Sequence, residues 1–332
     1  MAPQPRTMHS SRTARCWAAF GLALVALLLA GCGSPDVGRA AADSPVADPR
    51  GGEAFPADVL SGQVDDGTQI TIGERPSSIV SLSPTATETL WAVGAGDQVV
   101  AVDDQSNYPA GVPTTKLSGY TPNVEAILAF EPDLVLSSGD GGDLVAGLEK
   151  AGVPTLLLPA ATDLDDAYSQ IERIGAATGH VAEAAKVVAE MRSDIRSAVA
   201  DAPRAAGLTY FHELDPTLYT VTGKTFIGEV YGLFGMTSIG DGAAGGDDYP
   251  QLSAEYVVDV DPDLVMLADT DCCEVTPEKI ADRPGWDDLT AVRTGQLHEI
   301  DKDISSRWGP RIVDFVRAIG DVVADVEPAP AS

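Results

Sequence analysis

Two glutamates occupy the same position in two similar segments of the chain. Glu125 lies in VEAILAFEPDLVLS and Glu255 in AEYVVDVDPDLVML, each six residues before an acidic residue that opens a Pro-Asp-Leu-Val sequence. Asn123 and Ser253 can cap helices that begin just after them, which places each glutamate in a first helical turn. The helix dipole favours a carboxylate there by roughly 0.3–1 kcal/mol, so helix stability alone can explain both glutamates. Their recurrence also favours a second role, in which each half of the chain shows one carboxylate to the same partner.

The sequence carries none of the spaced signatures that mark common enzyme sites. The GKT at Gly223 has Leu218 where a phosphate-binding loop needs its first glycine. The pair Gly94 and Gly96 has Val99 where a dinucleotide-binding motif needs its third glycine. A nucleophile elbow, a zinc-protease motif and an EF-hand loop are also missing from the sequence. We therefore expect a protein that is not an enzyme and that has no metal site of its own.

Aromatic residues precede both repeated glutamates. Tyr120 lies five residues before Glu125, and Tyr249 lies six residues before Glu255. Ligands of parallel α/β sheets lie beyond the carboxyl ends of the strands, so these two rings can face each other across a cleft, with Trp308 as a third flat wall. Such walls suit a large, flat or apolar ligand. The alternative is that the tyrosines are half-buried packing residues.

Three further side chains are candidates for contact with a ligand. Gln105 lies in the loop that follows the predicted strand VVAV. His212 follows the predicted strand LTYF, where an imidazole can ligate iron, cobalt or zinc, or can simply hydrogen-bond within a loop. Arg307 can hold a carboxylate or phosphate of a ligand, or can pair with neighbouring acids of its own chain.

Two rival functions use this sequence differently. A secreted metal-dependent hydrolase would use His212, Glu213 and Asp269, which predicts turnover that is lost in His212→Ala. A tethered surface adhesin without a small ligand would instead have a closed or apolar-filled cleft. Both stay open beside a binding protein for a small ligand.

Short apolar strands alternate with helical patterns of about ten residues in both halves of the chain. The first half reads SIVSLS, TATETLWAVG, VVAVDD, NVEAILAF, DLVLSS, DLVAGLEKAG and TLLLPA. From Leu208 onward a related order recurs, with LTYFHEL, FIGEVYGLFG, AEYVVDV, DLVMLAD and QLHEID. This alternation predicts βαβ units with parallel sheets that are covered on both faces. A divergent duplication into two similar α/β lobes fits the pattern.

A helical segment connects the two halves. Apolar residues keep helical spacing from Ile171 to Val199, and Pro203 ends the pattern. Gly175 and Gly179 are expected to divide the segment into two helices. The second helix, of about 23 residues, would be about 34 Å long and could bridge two lobes along one side.

Length and charge narrow the class of protein. The folded part of about 270 residues suits two domains better than one. We place a first lobe at 59–165, linking helices at 166–203 and a second lobe at 204–327. The formal net charge of −29 repels phosphate backbones, so we expect no nucleic-acid partner.

The N-terminal residues resemble a bacterial lipoprotein signal. Arg6, Arg12 and Arg15 precede an uncharged run that ends in Leu-Ala-Gly-Cys at Cys32. The run is shorter than the roughly 20 residues that a transmembrane helix needs. We expect residues 1–31 to be removed and Cys32 to carry lipid, with an ordinary signal peptide as the alternative. Residues 32–58 are rich in Gly, Pro, Ala and Asp, which predicts a disordered tether and an extracytoplasmic, membrane-anchored protein.

The folded part contains two adjacent cysteines, Cys272 and Cys273. Outside the cell such a pair can close a strained disulfide ring. Two free thiols, or contact with a metal or ligand, are the alternatives.

Several motifs together resemble one protein family. They are SIVSLSPTATE, VVAVDDQSNYP, NVEAILAFEPDLVL, YPQLSAEYVVDVDPDLVML and SRWGPRIV, and they extend over residues 77–323. The chain resembles the binding proteins of ABC importers for iron chelates, haem and cobalamin. The resemblance implies two Rossmann-like lobes joined by a single long helix, with a ligand cleft between the lobes. It also implies that Glu125 and Glu255 dock against arginines of the two permease subunits, whose ATPases drive import.

The resemblance leaves the ligand open. Cobalamin-binding members share SLSP, an aromatic residue before each docking glutamate, and a basic loop like SRWGPR. Tyr120 and Tyr249 stand where those members often have Trp, and this difference, the cysteine pair and His212 equally suit a siderophore or haem. We expect a corrinoid or a ferric siderophore, with haem as the alternative, bound by a monomer.

Overall fold

The computed structural model describes residues 55–243, 245–273 and 275–326. The side chains of residues 271 and 272 lie outside this description. The predicted signal peptide, Cys32 and most of the predicted tether also lie outside the described residues. Within the described ranges, helices long and apolar enough to cross a membrane are absent.

The first lobe consists of a β-hairpin and a four-stranded parallel sheet. In the sheet the spatial order is β4-β3-β5-β6, and the hairpin strands β1 and β2 are antiparallel. The strands are β1 (Ala57–Ser61), β2 (Thr68–Ile72), β3 (Ile79–Leu82), β4 (Val99–Val102), β5 (Leu134–Ser137) and β6 (Thr155–Leu157). The helices of this lobe are α1 (Pro84–Ala92), α2 (Val124–Leu128) and α3 (Leu144–Lys150).

The second lobe repeats the topology of the first. Its sheet has the order β8-β7-β9-β10. When the sheet strands of each lobe are numbered in chain order, both sheets have the same spatial order: second, first, third, fourth. Its strands are β7 (Thr209–Glu213), β8 (Thr237–Ser238), β9 (Leu264–Leu267) and β10 (Leu297–Glu299). Its helices are α6 (Phe226–Gly232), α7 (Ala254–Val260), α8 (Thr270–Cys273), α9 (Pro277–Ala281) and α10 (Thr290–Arg293). The shared strand order supports the predicted duplication.

Two long helices connect the lobes in sequence. They are α4 (Leu164–Thr178) and α5 (Val181–Asp201). Gly179 separates them in the left-handed region at φ +76°, where glycine carries little strain. Gly175 does not divide the segment as expected but lies inside α4, where an added Cβ would come within 2.4 Å of the Cβ of Ala184 on α5. The glycine therefore lets the two helices cross closely. The chain ends with α11 (Lys302–Ser306) and α12 (Ile312–Asp325).

Alternate residues of the central strands pack into different cores. In β5, Leu136 joins a central core, and Val135 joins an outer core of the first lobe. In β9, Met266 joins the same central core, and Val265 joins an outer core of the second lobe. This is the two-residue period of a strand that is covered on both faces.

The central core crosses from one lobe to the other. It includes residues of both sheets and of the helices α4, α5 and α12. Helix α12 packs against α5, and α5 packs against α4. Because one apolar cluster continues through both lobes, their relative position is fixed by packing as well as by the chain connection.

Candidate ligand cleft and docking surface

A cavity of about 370 Å³ lies between the strand ends of the first lobe and a segment of the second. One wall follows β3, β4 and β5, at the carboxyl ends of parallel strands where ligands of such sheets bind. The other wall comes from α11 and the residues just after it. The lining residues are Leu82, Ser83, Pro84, Thr85, Asp103, Gln105, Gly119, Tyr120, Ser138, Lys302, Asp303, Ser306, Arg307 and Trp308. We call this cavity the inter-lobe cleft.

The structure brings four of the predicted binding residues together at this cleft. They are Gln105, Tyr120, Arg307 and Trp308. The cleft is also lined by Asp103, Ser138, Lys302 and Ser306, which were not among the predicted binding residues. Asp103 and Ser138 lie in loops that follow strands, and Ser306 opens the SRWGPR motif, so their positions carried a signal.

Tyr120 is the most exposed aromatic residue at the cleft, with 86% of its surface accessible. The preceding Gly119 lies against the end of β3, where an added Cβ would come within 2.4 Å of the Leu82 carbonyl oxygen. The glycine therefore lets the loop pass close to the sheet and place Tyr120 at the cleft. An aromatic ring this exposed is available for stacking on a ligand.

Trp308 is held in a fixed orientation at the opposite wall. Its indole Nε1–H donates a hydrogen bond of 2.9 Å to Oε1 of Gln170 on α4. Near the first wall, Asp103 is buried and accepts a hydrogen bond of 3.0 Å from the Ser106 amide. Burial raises the pKa of Asp103. With Lys302 on the far side, the cleft offers flat apolar surface together with polar groups of both charges.

A buried carboxylate joins the two lobes beside the cleft. Glu88 on α1 is 2% exposed and accepts hydrogen bonds from Arg307 at 2.7 Å and from Arg311 at 2.6 and 2.9 Å. The hydrogen bond from Arg311 to Glu88 raises the pKa of the Arg311 guanidinium. Arg307 also pairs with Asp303 at 2.7 Å and donates to Oδ1 of Asn107 at 2.8 Å. We call Glu88, Arg307 and Arg311 the inter-lobe clasp.

The clasp changes the role expected of Arg307. Its side chain lines the cleft but is only 9% exposed, and its charge is matched by two carboxylates of the chain itself. Of the two roles that the sequence left open, pairing with neighbouring acids is the one that the structure displays. Contact of Arg307 with a ligand stays a prediction.

His212 lies in the core and does not line the inter-lobe cleft. Its ring is fully buried, and its Nδ1 lies 2.7 Å from the hydroxyl of Tyr231 on α6. Burial lowers the pKa of His212 to about 4, so the imidazole is neutral near pH 7. The sequence suggested that the strand ends at Phe211, whereas β7 continues to Glu213. His212 is therefore a strand residue, and in this conformation a ligand in the cleft cannot reach it.

Two further acids at the strand ends of the second lobe are buried. Glu213 accepts two hydrogen bonds of 2.6 Å from Arg283, and Asp269 follows β9. Burial raises the pKa of Glu213 to about 7 and also raises that of Asp269. Both residues, like His212, have no accessible surface. This burial does not favour the rival hydrolase site, which needs these groups to meet a substrate.

Tyr249 lies apart from the inter-lobe cleft. It is 45% exposed, in a loop that pairs with the loop after β7 through a bridge between Tyr219 and Gln251. Tyr219, which the sequence reasoning missed, is 40% exposed. The expected opposition of Tyr120 and Tyr249 across one cavity is not seen in this conformation.

The structure assigns Cys273 to a disulfide. The side chain of Cys272 is outside the description, so the pairing of these adjacent cysteines stays a prediction. Groups of three or more His, Cys, Asp and Glu side chains that could hold a metal ion are not found in the described part of the chain.

Glu125 and Glu255 lie on the surface in matching positions of α2 and α7. Asn123 caps α2 with a hydrogen bond of 2.9 Å from the Ala126 amide, and Ser253 caps α7 with one of 3.1 Å from the Tyr256 amide. Both glutamates are exposed, and neither carboxylate has a hydrogen-bond or ion-pair partner among the residues described. Because other side chains make the caps, both carboxylates are free to meet an external partner.

The fold and the cleft define a two-lobed solute-binding protein. A family model described as periplasmic binding protein matches residues 79–304, and the chain belongs to that family. This confirms the resemblance inferred from the motifs, together with the two-lobed α/β fold.

Related proteins agree with this assignment. An ABC transporter substrate-binding lipoprotein of Bacillus subtilis is 30% identical over 94% of this chain and 97% of its own. A cobalamin-binding protein of Halobacterium salinarum is 34% identical over 74% of this chain and 69% of its own. The solved structure of a periplasmic vitamin B12-binding protein of Vibrio cholerae is 26% identical, with a TM-score of 0.61 over 74% of this chain and 96% of that protein. The protein is therefore a solute-binding component of an ABC importer.

Proposed function

We propose that this protein binds a corrinoid in the inter-lobe cleft and delivers it to the permease of an ABC importer. The observation that carries the proposal is the placement of exposed Tyr120 and oriented Trp308 on the two walls of one cavity. A corrinoid presents a broad flat ring with amide groups at its edge. The two aromatic side chains offer surface to the ring, and the charged and hydroxyl groups of the cleft offer hydrogen bonds to its edge.

The relatives support a corrinoid over other metal chelates. Relatives in Halobacterium, Vibrio and Pectobacterium carry names that specify cobalamin or vitamin B12, and they match between 57% and 77% of this chain. The burial of His212 also favours a ligand whose metal needs no imidazole from this site. Ferric siderophores and haem are the competing ligands in the test below.

Delivery rests on Glu125 and Glu255. Glu125 and Glu255 are exposed at the starts of equivalent helices, and neither carboxylate has a partner among the residues that the structure describes. Two equivalent arginines of a dimeric permease would meet them, with bidentate hydrogen bonds that fix the orientation of the complex. We further propose that lipid on Cys32 holds the protein, as a monomer, at the outer face of the membrane, where the permease is within reach.

The ligand can be identified by fluorescence titration of a chain that lacks residues 1–32. Cobalamin, haem and ferric siderophores are each added while intrinsic tryptophan emission is followed. Corrinoids absorb in the range where tryptophan emits, so bound cobalamin should quench Trp308 with saturation at one ligand per chain. Trp308→Phe is the matched variant, because it keeps a flat wall and removes the indole at the cleft, while Trp91 and Trp286 still emit and report any quenching at a distance.

The outcomes separate the ligand from the class of protein. Saturation by cobalamin alone supports the proposal. Saturation by haem or a ferric siderophore alone would reassign the ligand and keep the transport function. Absence of binding by every member of the panel would contradict the proposed function.

A further inference from the structure

A second large concavity lies beside Glu255 on the second lobe. Its volume is about 500 Å³, larger than that of the inter-lobe cleft. Helix α7, the loop after β7 and the loop after α9 form its walls. The lining residues are Pro216, Leu218, Ala254, Glu255, Val258, Asp259, Arg283, Pro284, Gly285 and Trp286. We call this concavity the Glu255 groove.

The floor of the Glu255 groove is already organised without a partner. Trp286 is fully buried, and its ring packs edge-on against Phe211 with centroids 6.1 Å apart. The guanidinium of Arg283 lies 4.7 Å from the Trp286 ring centroid. Arg283 also donates its two hydrogen bonds to buried Glu213. These contacts hold the floor in place, so a partner would meet a preformed surface.

The charge around the groove is acidic at its rim and neutralised at its floor. Glu255 and Asp259 are exposed and lie four residues apart on α7, which places both carboxylates on one side of that helix. Arg283 is the cation among the lining residues, and its charge is already matched by Glu213. The walls between them are the apolar side chains of Pro216, Leu218, Ala254, Val258 and Pro284. A partner that complements the Glu255 groove would therefore present an apolar side chain next to a cationic one.

We propose that the Glu255 groove receives an apolar side chain of the permease, next to the basic residue that pairs with Glu255. This inference rests on the proposed function, because it assigns the groove to the same docking event. Helix α7 supplies Glu255 and also the groove residues Ala254 and Val258, so the two surfaces are continuous. A second copy of this chain would bring an equally acidic rim against the first and is disfavoured by like-charge repulsion.

The groove gives the Glu255 contact a property that an exposed ion pair lacks. Exposed ion pairs are weak and are screened by salt. An apolar side chain in the groove would exclude water from the neighbouring ion pair and would add contacts that salt does not weaken. Docking at the second lobe should therefore tolerate salt better than a pair of surface charges would.

The test fills the groove from two opposite walls. Ala254→Trp acts from α7 and Pro216→Trp from the loop after β7; both residues are exposed, and Pro216 is distant from Glu255 in sequence. Ala200→Trp, on the exposed face of α5, is the matched control. Binding of the full chain to the permease–ATPase complex of the same cell, held in nanodiscs, is measured together with binding of the ligand identified above. We expect both groove variants to bind the complex at least about tenfold more weakly than wild type, with unchanged ligand affinity.

Three other outcomes would overturn either the docking function or the groove inference. If the double variant Glu125→Ala with Glu255→Ala leaves docking unchanged, the proposed docking function itself fails. If that double variant loses docking but either groove variant docks like wild type, only the groove inference fails. If the groove variants lose ligand binding while Ala200→Trp retains it, the groove serves the ligand or the fold, and the inference is again wrong.

Discussion

The double variant Glu125→Ala with Glu255→Ala should abolish uptake of the ligand and leave the affinity for the ligand unchanged. Both carboxylates are exposed and unpaired in the described structure, and both lie outside the lining of the inter-lobe cleft. Loss of one partner from a hydrogen-bonded charge pair that is buried in an interface costs about 2–5 kcal/mol, so loss of both pairs on docking should leave little productive complex. Each single variant should retain part of the uptake.

The measurement is uptake into proteoliposomes that contain the permease and its ATPases, with ligand titration on the same preparations. Glu149→Ala with Glu172→Ala is the matched control, because it removes two exposed carboxylates and changes the net charge equally. Fold stability should hardly change, since Asn123 and Ser253 still cap the two helices. A parallel drop in ligand affinity would place the two glutamates in the pocket or the fold, and full uptake would rule out the docking role.

Glu88→Ala should destabilise the protein by about 3–5 kcal/mol, the usual cost of removing one partner from a buried ion pair. The variant leaves Arg307 and Arg311 next to a cavity without the carboxylate that accepts from both. Asp303 still pairs with Arg307 and balances part of its charge, which limits the loss of stability. Urea unfolding at neutral pH measures the change in the free energy of unfolding.

Two further variants separate the loss of the buried ion pair from the general effect of removing a glutamate. Glu88→Gln keeps the shape and one acceptor oxygen, and it should lie between wild type and Glu88→Ala. Glu172→Ala, an exposed residue on α4, is the surface control and should change stability by less than about 0.5 kcal/mol. A loss below about 1 kcal/mol for Glu88→Ala would show that the inter-lobe clasp does not hold the lobes together.

The fold was largely accessible from the sequence because its signals are local and repeated. Runs such as IVSL and LVML are buried on both faces, and this burial gives the continuous apolar pattern of a parallel strand. The two similar sequence segments around Glu125 and Glu255 predicted an internal repeat, and the two sheets have the same strand order. The helix separation at Gly179 was also visible, because glycine is favoured at a left-handed helix end.

The inter-lobe clasp was not accessible from the sequence. Glu88 lies in a helical pattern where a glutamate normally faces solvent, and its arginine partners are 219 and 223 residues away. The burial of a charge is decided by the docking of two lobes, which a local pattern does not record. The sequence analysis gave pairing with neighbouring acids as one of two roles for Arg307, but it did not identify Glu88 as one of those acids.

The position of His212 shows a different limit. A shift of the strand end by two residues moved this imidazole from a predicted loop into β7. Successive residues of a strand face opposite sides, so the end of the strand decides whether a polar side chain meets solvent or the core. The hydrogen bond to Tyr231 on α6 then satisfies one ring nitrogen inside the protein.

The most direct test of ligand capture between the lobes is equilibrium dialysis of cobalamin with a cleft-filling variant. Ser306→Trp adds a large side chain to an exposed residue of the cleft wall, and Ser193→Trp adds the same side chain to the exposed face of α5. We predict that wild type and Ser193→Trp bind one cobalamin per chain with equal affinity. Ser306→Trp should bind about a hundredfold more weakly, a loss of about 2.8 kcal/mol. Unchanged binding by Ser306→Trp, or equal weakening in both variants, would contradict a binding site between the lobes.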